Sequence, residues 1–203
     1  WQWLAGRKGP LTVGAGQVAV FARTRRELAT PDVQFHVILF SADRPGEPLH
    51  PFSGWTVSVC QLRPESRGEI RLKDADPATA PAIHPNYLAT ETDRRTIVDG
   101  LKLARRIQSQ PPLSRFHRRE VVPGDACADD AALLDFARAK GGTIFHPTST
   151  CRMGPADDPE VVCDPALRVR GLDGLRIADA SIMPTVVSGN TNAPTIMIGE
   201  KAA

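Results

Sequence analysis

Cysteine is sparse and dispersed in this chain. Cys60, Cys127, Cys151 and Cys163 form no CxxC pair, which excludes a disulfide framework and the standard zinc modules. Reduced, packed thiols follow, and with them a cytoplasmic setting, in solution or peripheral at the inner membrane. His146, Cys151, Cys163 and Asp164 match no recurrent ligand spacing, so no metal is expected. An excess of charge of one sign is equally missing. The 25 basic residues stand against 23 acidic ones, so neither DNA nor any other nucleic acid is expected as a partner. The clusters Arg23-Thr24-Arg25-Arg26 and Arg115-Phe116-His117-Arg118-Arg119 are expected to be solvated faces. No apolar run approaches the roughly 20 residues that cross a bilayer as a helix. Aromatic residues make up only 5% of the chain. Trp1, Trp3, Trp55 and Tyr87 are available to enclose a cationic ligand, but nothing in the sequence groups them around one pocket. Also absent is the strand–GxGxxG–helix fingerprint of a dinucleotide site. GAGQVA at 14–19 lacks the third glycine, follows the polar GRKGPLT and leads into a β-like run. The chain opens at Trp1 without an initiator methionine, and we expect it to be the C-terminal portion of a longer protein.

What is present suits one domain, or one domain and part of a second, with 41% hydrophobic residues over 203 positions. β-like patterns run over 18–24, 33–40, 55–62 and 68–73. The run from Val33 to Phe40 is apolar on both alternating faces in part, which predicts a strand covered on each side. Only a short connection separates the last two runs, so they are expected to pair antiparallel, with Ile70 and Leu72 on one face. The segments 43–54 and 74–85 are rich in proline and read as coil. From Thr90 the pattern becomes helical. Thr90 and Asp93 resemble a capping box, and Ile97, Leu101, Ala104 and Ile107 recur at helical spacing up to Pro111. Gly100 inside this helix costs about 1 kcal/mol relative to alanine and suggests close packing. A second helix is predicted over 129–140, burying Leu133, Phe136 and Ala137 and ending on Gly141-Gly142, where positive φ would reverse the chain. Leu175 to Ala178 reads as a short strand, and 193–203 as a helix with Pro194 in its first turn and Thr191 or Asn192 as cap. Strands followed by helices predict an α+β fold: an antiparallel β-sheet flanked by helices.

Five histidines are present, and His146 is the one in the most constrained setting. It precedes Pro147, which biases its backbone to extended conformations. Its ordinary pKa of about 6.5 allows it to give or take a proton near neutrality. His50 and His84 also precede proline, so the dipeptide alone does not decide, and His36 lies in a strand-like run whose face it lines.

The order of HPTSTCRMG at 146–154 and DPALRVRGLDGLRIADASIMPTVVSGNTNAPTIMIGEKAA at 164–203 resembles the C-terminal signature of the glucose–methanol–choline (GMC) flavin oxidoreductases. GPLT at 9–12, RGEIRLKDADP at 67–77 and PNYLATETD at 85–93 extend the resemblance over nearly the whole chain. The choline and alcohol dehydrogenase branch is most similar. The resemblance implies a substrate-binding domain over 1–154 and a segment over 155–203 that completes an FAD-binding domain whose glycine turn lies elsewhere. It implies FAD as cofactor, a small-molecule alcohol as substrate, and a quinone or oxygen as electron acceptor. Catalytic roles fall to His146 as general base and Asn190 as its partner at the substrate oxygen. Asp179 and Ala180 match the segment along the ribityl and pyrophosphate of FAD, and Asn192, Ala193 and Pro194 match the helix start at the flavin ring. As residues alone, Asp179 also reads as a turn cap and Asn190 as a turn residue. Two other classes share the scaffold: a binding module without redox chemistry, and a lyase of the hydroxynitrile type. One departure stands out. Relatives commonly place glycine where Ser149 stands here, so a turn at this position must avoid positive φ or accept strain.

Overall fold

A computed structural model of the chain describes residues 1–9, 12, 14, 16–43 and 47–203. Pro10 and Leu11 of the GPLT segment, Ala15 of GAGQVA, and residues 44–46 of the proline-rich loop lie outside the described residues. The elements are α1 (Gln2–Gly6), β1 (Gly16–Ala22), β2 (Val33–Ile38), β3 (Thr56–Gln61), β4 (Glu69–Arg71), β5 (Ala82–His84), α2 (Glu91–Gln108), α3 (Pro111–Ser114), α4 (Asp130–Lys140), a 3-10 turn (Ala180–Ile182) and α5 (Asn192–Ala202). The class is α+β with antiparallel sheets, and the chain divides into two compact units.

The first unit comprises Trp1–Gln61 and Arg95–Gly141. Its sheet is antiparallel in the order β1-β2-β3. The register aligns Val20, Phe35 and Val59 across the three strands, next to Ala22, Val33 and Gln61. Val33, Gln34 and Phe35 are all buried in succession, so this strand is covered on both faces, as its apolar run implied. Asp32 accepts from the Thr24 amide (2.8 Å) and hydroxyl (2.5 Å), which closes the connection between β1 and β2. Val33, Phe35 and Ala104 form the core, with Val57, Val59, Leu103 and Ile107 packed on it. Of the helical positions expected to face the core, Ala104 and Ile107 pack on the sheet, joined by Gly100 and Leu103. Ile97 and Leu101, half-buried like Leu103 and Ile107, lie outside this core. The close packing expected at Gly100 is found. A Cβ on Gly100 would lie 2.8 Å from Val59 Cγ2. Helix α4 matches its predicted range. Asp129 caps it by accepting from the Ala132 amide at 2.8 Å, and Leu133 and Ala137 are buried, whereas Phe136 is half-buried. Arg23, Arg25, Arg26 and Arg106 line an open cleft.

The second unit comprises Leu62–Arg94 and Gly142–Ala203. Here two sequence expectations are corrected. β4 pairs with β5 and not with the preceding strand, so the proline-rich segment 74–85 contains a strand. Gly68 explains the pairing: a Cβ there would lie 2.2 Å from the His84 carbonyl oxygen, so only glycine allows the two backbones to meet. Ile70 and Leu72 are both exposed, Leu72 at 87%, and form no buried face. The capping box is also half realised. Thr90 Oγ1 accepts from the Asp93 amide (3.2 Å), but the Asp93 carboxylate turns to the loop before β4. There it accepts from the amides of Glu65 (2.9 Å) and Ser66 (2.8 Å) and from the Ser66 hydroxyl.

A separate core forms around Cys163, Ile182, Met183 and Ile198, with Met153, Leu167, Val169 and Ile177 packed on it. The strand expected at Leu175 to Ala178 is replaced by isolated bridges, Cys163 to Val169 and Arg168 to Arg176. Left-handed Leu167 and Gly171 turn this stretch too sharply for a continuous ladder. Among the described residues, no helix is long and apolar enough to cross a membrane.

Candidate active site

The segment carrying His146 follows α4 without helix or strand of its own. Gly141 leaves the helix extended, at φ −64° and ψ 155°, so the reversal expected at the double glycine does not occur there. Positive φ falls instead on Phe145 (62°) and Ser149 (73°), the residues bracketing the His-Pro corner. At Phe145 the amide donates to Thr143 Oγ1 (2.9 Å), a side-chain turn that needs no glycine. At Ser149 the strain anticipated from the missing glycine is accepted. The segment is then laced to the 3-10 turn by three amides: Ser149 to Ala180 O (3.4 Å), Cys151 to Ser181 O (3.0 Å) and Met153 to Ile182 O (2.8 Å).

That lacing fixes His146 beside the chain that enters α5. Asn190 Nδ2 donates to His146 Nε2 at 2.6 Å, across a separation of 44 residues. His146 Nδ1 lies 2.9 Å from Thr191 Oγ1 and 3.4 Å from the Thr191 amide. The imidazole is half-buried, Asn190 is exposed and Thr191 is buried at 7% exposure. A ring held from both nitrogens, with one partner on the open side, can exchange a proton with a small molecule that reaches Asn190.

The remaining expected residues are placed as follows. Asp179 is the N-cap of the 3-10 turn and accepts from the Ser181 amide at 2.8 Å, so its reading as a turn cap holds as local structure. Ala180 is half-buried, and its carbonyl receives the Ser149 amide. Asn192, Ala193 and Pro194 form the first turn of α5, the first two exposed and Pro194 half-buried. Thr191 occupies the N-cap position, yet its hydroxyl makes no cap bond to the helix. It serves His146 instead, a role not legible from its position beside Asn190. Of the rings available to a cationic ligand, Trp3 lies under the Arg7 guanidinium (4.2 Å) and Trp55 donates to Gln108 (3.3 Å).

Arg152, in the same motif as His146, is structural. It pairs with Asp158 (2.9 Å) and Glu160 (3.2 Å), and its hydrogen bonds hold the Asp158 carboxyl below the usual carboxylate range. Cys163 is raised above an ordinary thiol by burial, which suits a packing residue and not a nucleophile.

Strain at Ser149 gives a prediction. A left-handed non-glycine residue costs about 1–2 kcal/mol, against roughly 0.5–1 kcal/mol of extra chain entropy lost by glycine on folding. Ser149→Gly is expected to raise the melting temperature slightly, and Ser149→Val to lower it by several degrees. A lower melting temperature for the glycine variant would mean that the Ser149–Thr148 hydroxyl contact (3.0 Å) outweighs the backbone term.

Comparison with known proteins covers nearly all of this chain. The profile of the GMC oxidoreductase family matches residues 64–199. An alcohol dehydrogenase [acceptor] of Pseudomonas putida is 44% identical over 197 residues, covering 97% of this chain and 35% of the relative. An oxygen-dependent choline dehydrogenase of Klebsiella pneumoniae is 41% identical over 202 residues, covering 100% of this chain and 36% of the relative. Among solved structures, pyridoxine 4-oxidase from Mesorbium loti superposes with a TM-score of 0.80 at 29% identity, covering 91% of this chain and 36% of that one. A formate oxidase of Aspergillus oryzae, described for modification of its FAD, has a TM-score of 0.86 at 23% identity, covering 98% of this chain and 39% of its own, a likeness of fold. The chain thus spans 35–36% of the length of these curated relatives.

Proposed function

Because the chain belongs to the GMC oxidoreductase family, we propose that it is the C-terminal portion of an FAD-dependent enzyme oxidising a primary alcohol to an aldehyde. Choline and aliphatic or aromatic alcohols are the substrate class, in keeping with its likeness to alcohol and choline dehydrogenases. Residues 1–154 bind substrate, and residues 155–203 return to an FAD-binding domain whose glycine turn is supplied by another part of the holoenzyme. The observation that carries this reading is the meeting of His146 and Asn190 at 2.6 Å on an accessible edge.

Alcohol oxidation removes a hydroxyl proton and a hydride. FAD, when bound, supplies the acceptor for the hydride. His146 Nε2 takes the hydroxyl proton, a role worth roughly 10²–10⁴-fold for a positioned base. Asn190 Nδ2 donates to the same oxygen as negative charge develops on it. Its amide cannot take a proton near neutral pH, so the two roles are not interchangeable. Residues of this chain fit part of the cofactor. The exposed residues Asn192 and Ala193 open an eleven-residue helix, α5, whose positive end suits an anionic ring. Pro194 lacks an N–H and sets the first turn. Asp179 and Ala180 form an ordered turn whose backbone suits the ribityl and pyrophosphate side.

The test uses the holoenzyme, mixed anaerobically with choline, 1-octanol or benzyl alcohol while oxidised-flavin absorbance is followed. Bleaching with an equivalent of aldehyde is the expected result, and reoxidation by a quinone or by dioxygen then identifies the acceptor. Bound flavin that stays oxidised with every alcohol while a cyanohydrin is cleaved would overturn the redox reading in favour of a lyase. A holoprotein that takes up no flavin would leave a binding module.

A further inference from the structure

We propose that the open cleft lined by Arg23, Arg25, Arg26 and Arg106 is a phosphate-binding site, for a phosphate group either free in solution or carried on a phospholipid headgroup. The cleft lies wholly within the first unit, and its assignment depends neither on His146 nor on the redox reading. Its volume of about 500 Å³ is in the range of small-molecule sites. Three of the arginines stand in the connection that follows β1, which is braced from within. Thr24, which also lines the cleft, donates from its amide (2.8 Å) and hydroxyl (2.5 Å) to the buried Asp32. Arg23 Nη1 donates to the Leu28 carbonyl at 2.8 Å. Arg106 comes from the last turn of α2. A bare carbonyl at that helix end would repel an anion. The Arg106 carbonyl is not bare: it accepts from Ser109 Oγ and Gln110 Nε2, both at 2.9 Å.

The charge in the cleft is largely uncompensated by the fold. Among the described residues, Glu27 is the one carboxylate paired with a lining arginine. It meets Arg25 Nε at 3.4 Å and is 72% exposed, so solvent screens the pair and a phosphate can displace it. Arg26 and Arg106 are exposed and have no ion pair among the described residues. Arg105, next to Arg106, shows the contrast. Its Nη2 donates to Glu120 at 2.7 Å and its Nη1 to the Cys127 carbonyl at 2.7 Å, so that side chain is committed to the fold. Four like charges around one opening repel one another, although the chain carries 23 acidic residues. A bound dianion removes that repulsion. Arginine suits it better than lysine, because the planar fork gives two parallel N–H bonds to two phosphate oxygens. The contacts made within the turn use one nitrogen each of Arg23 and Arg25 and leave the other N–H groups to a ligand.

The experiment titrates the FAD-loaded holoenzyme with inorganic phosphate by calorimetry at fixed ionic strength, so that the cofactor's own phosphate sites are already filled. Wild-type protein is compared with Arg26→Gln/Arg106→Gln. A second double variant, Arg118→Gln/Arg119→Gln, removes the same charge from exposed positions outside the cleft lining. One saturable site is expected, weakened at least ~10-fold by the first pair of changes, which deletes charge-assisted donors. The second pair is expected to leave it unchanged. Co-sedimentation with phosphatidylglycerol vesicles separates the two sources. Vesicle binding that is lost in Arg26→Gln/Arg106→Gln identifies a lipid headgroup, and phosphate uptake without vesicle binding identifies a soluble phosphate compound. Equal weakening by both double variants would reduce the effect to screened net charge and overturn the proposal. A wild-type protein that binds neither phosphate nor the vesicles would also overturn it, and would leave an acidic protein surface as the ligand of these arginines.

Discussion

His146→Ala is expected to slow flavin reduction by alcohol at least ~10²-fold while FAD stays bound. The loss is large because no neighbour can take over. Asn190, at 2.6 Å from the ring, is an amide without proton affinity near neutral pH. Thr191 is buried, and its hydroxyl oxygen is a far weaker base than imidazole. Cofactor binding should survive, because the residues assigned to FAD, Asp179, Ala180 and Asn192 to Pro194, are ordered by their own turns. The ring does anchor Thr191, so a stability loss of about 1 kcal/mol from its unpaired hydroxyl is expected. Anaerobic stopped-flow reduction at equal FAD occupancy makes the measurement. A rate within a few-fold of wild type would remove His146 from the mechanism, and loss of FAD would mean that the corner is chiefly structural.

The largest stability effect is expected at Asp93, far in sequence from the chemistry. Its side chain is 1% exposed, and its carboxylate accepts from the Glu65 and Ser66 amides and the Ser66 hydroxyl. Ser66 Oγ in turn accepts from the amides of Ala89 (2.9 Å) and Thr90 (3.3 Å), just ahead of α2. One carboxylate thus ties the loop before β4 to the start of the longest helix. Asp93→Ala leaves three part-buried donors without this acceptor, at about 1 kcal/mol each, so a loss of about 3 kcal/mol is expected. Asp93→Asn should lose less than alanine because it retains one acceptor oxygen, although its amide turns a donor toward another donor. Urea unfolding of both variants separates the cases. An alanine variant within ~0.5 kcal/mol of wild type would show that water replaces the carboxylate.

The α+β class, the strands at 16–22, 33–38 and 56–61 and helix α4 were legible because their signals are local. Period-two runs, an Asp129 cap and a stop at glycine act over a few residues. The pairing of β4 with β5 was not legible. It depends on Gly68 allowing close approach to His84 and Pro85, which no short-range pattern announces. The buried face of α2 was legible in part. Helical spacing picked out Ala104 and Ile107, and Gly100 announced the close approach to Val59, but Leu103 enters this core where Ile97 and Leu101 do not.

The candidate site divides in the same way. Resemblance to the family singled out His146 and Asn190, and the replacement of glycine by Ser149 left a turn there either to avoid positive φ or to accept strain, of which the structure shows the second. Their separation of 2.6 Å depends on the lacing of residues 149–153 to 180–182 and on where α5 begins. Thr191 read as a helix cap because capping is the local option for its hydroxyl. Only the fold brings an imidazole within 2.9 Å of it as a competing partner. The sequence by itself therefore determined the residue types, most of the element types and the family. The tertiary structure decided which nitrogen of His146 faces which partner, because hydrogen bonds between residues 45 apart exist only once both segments are packed.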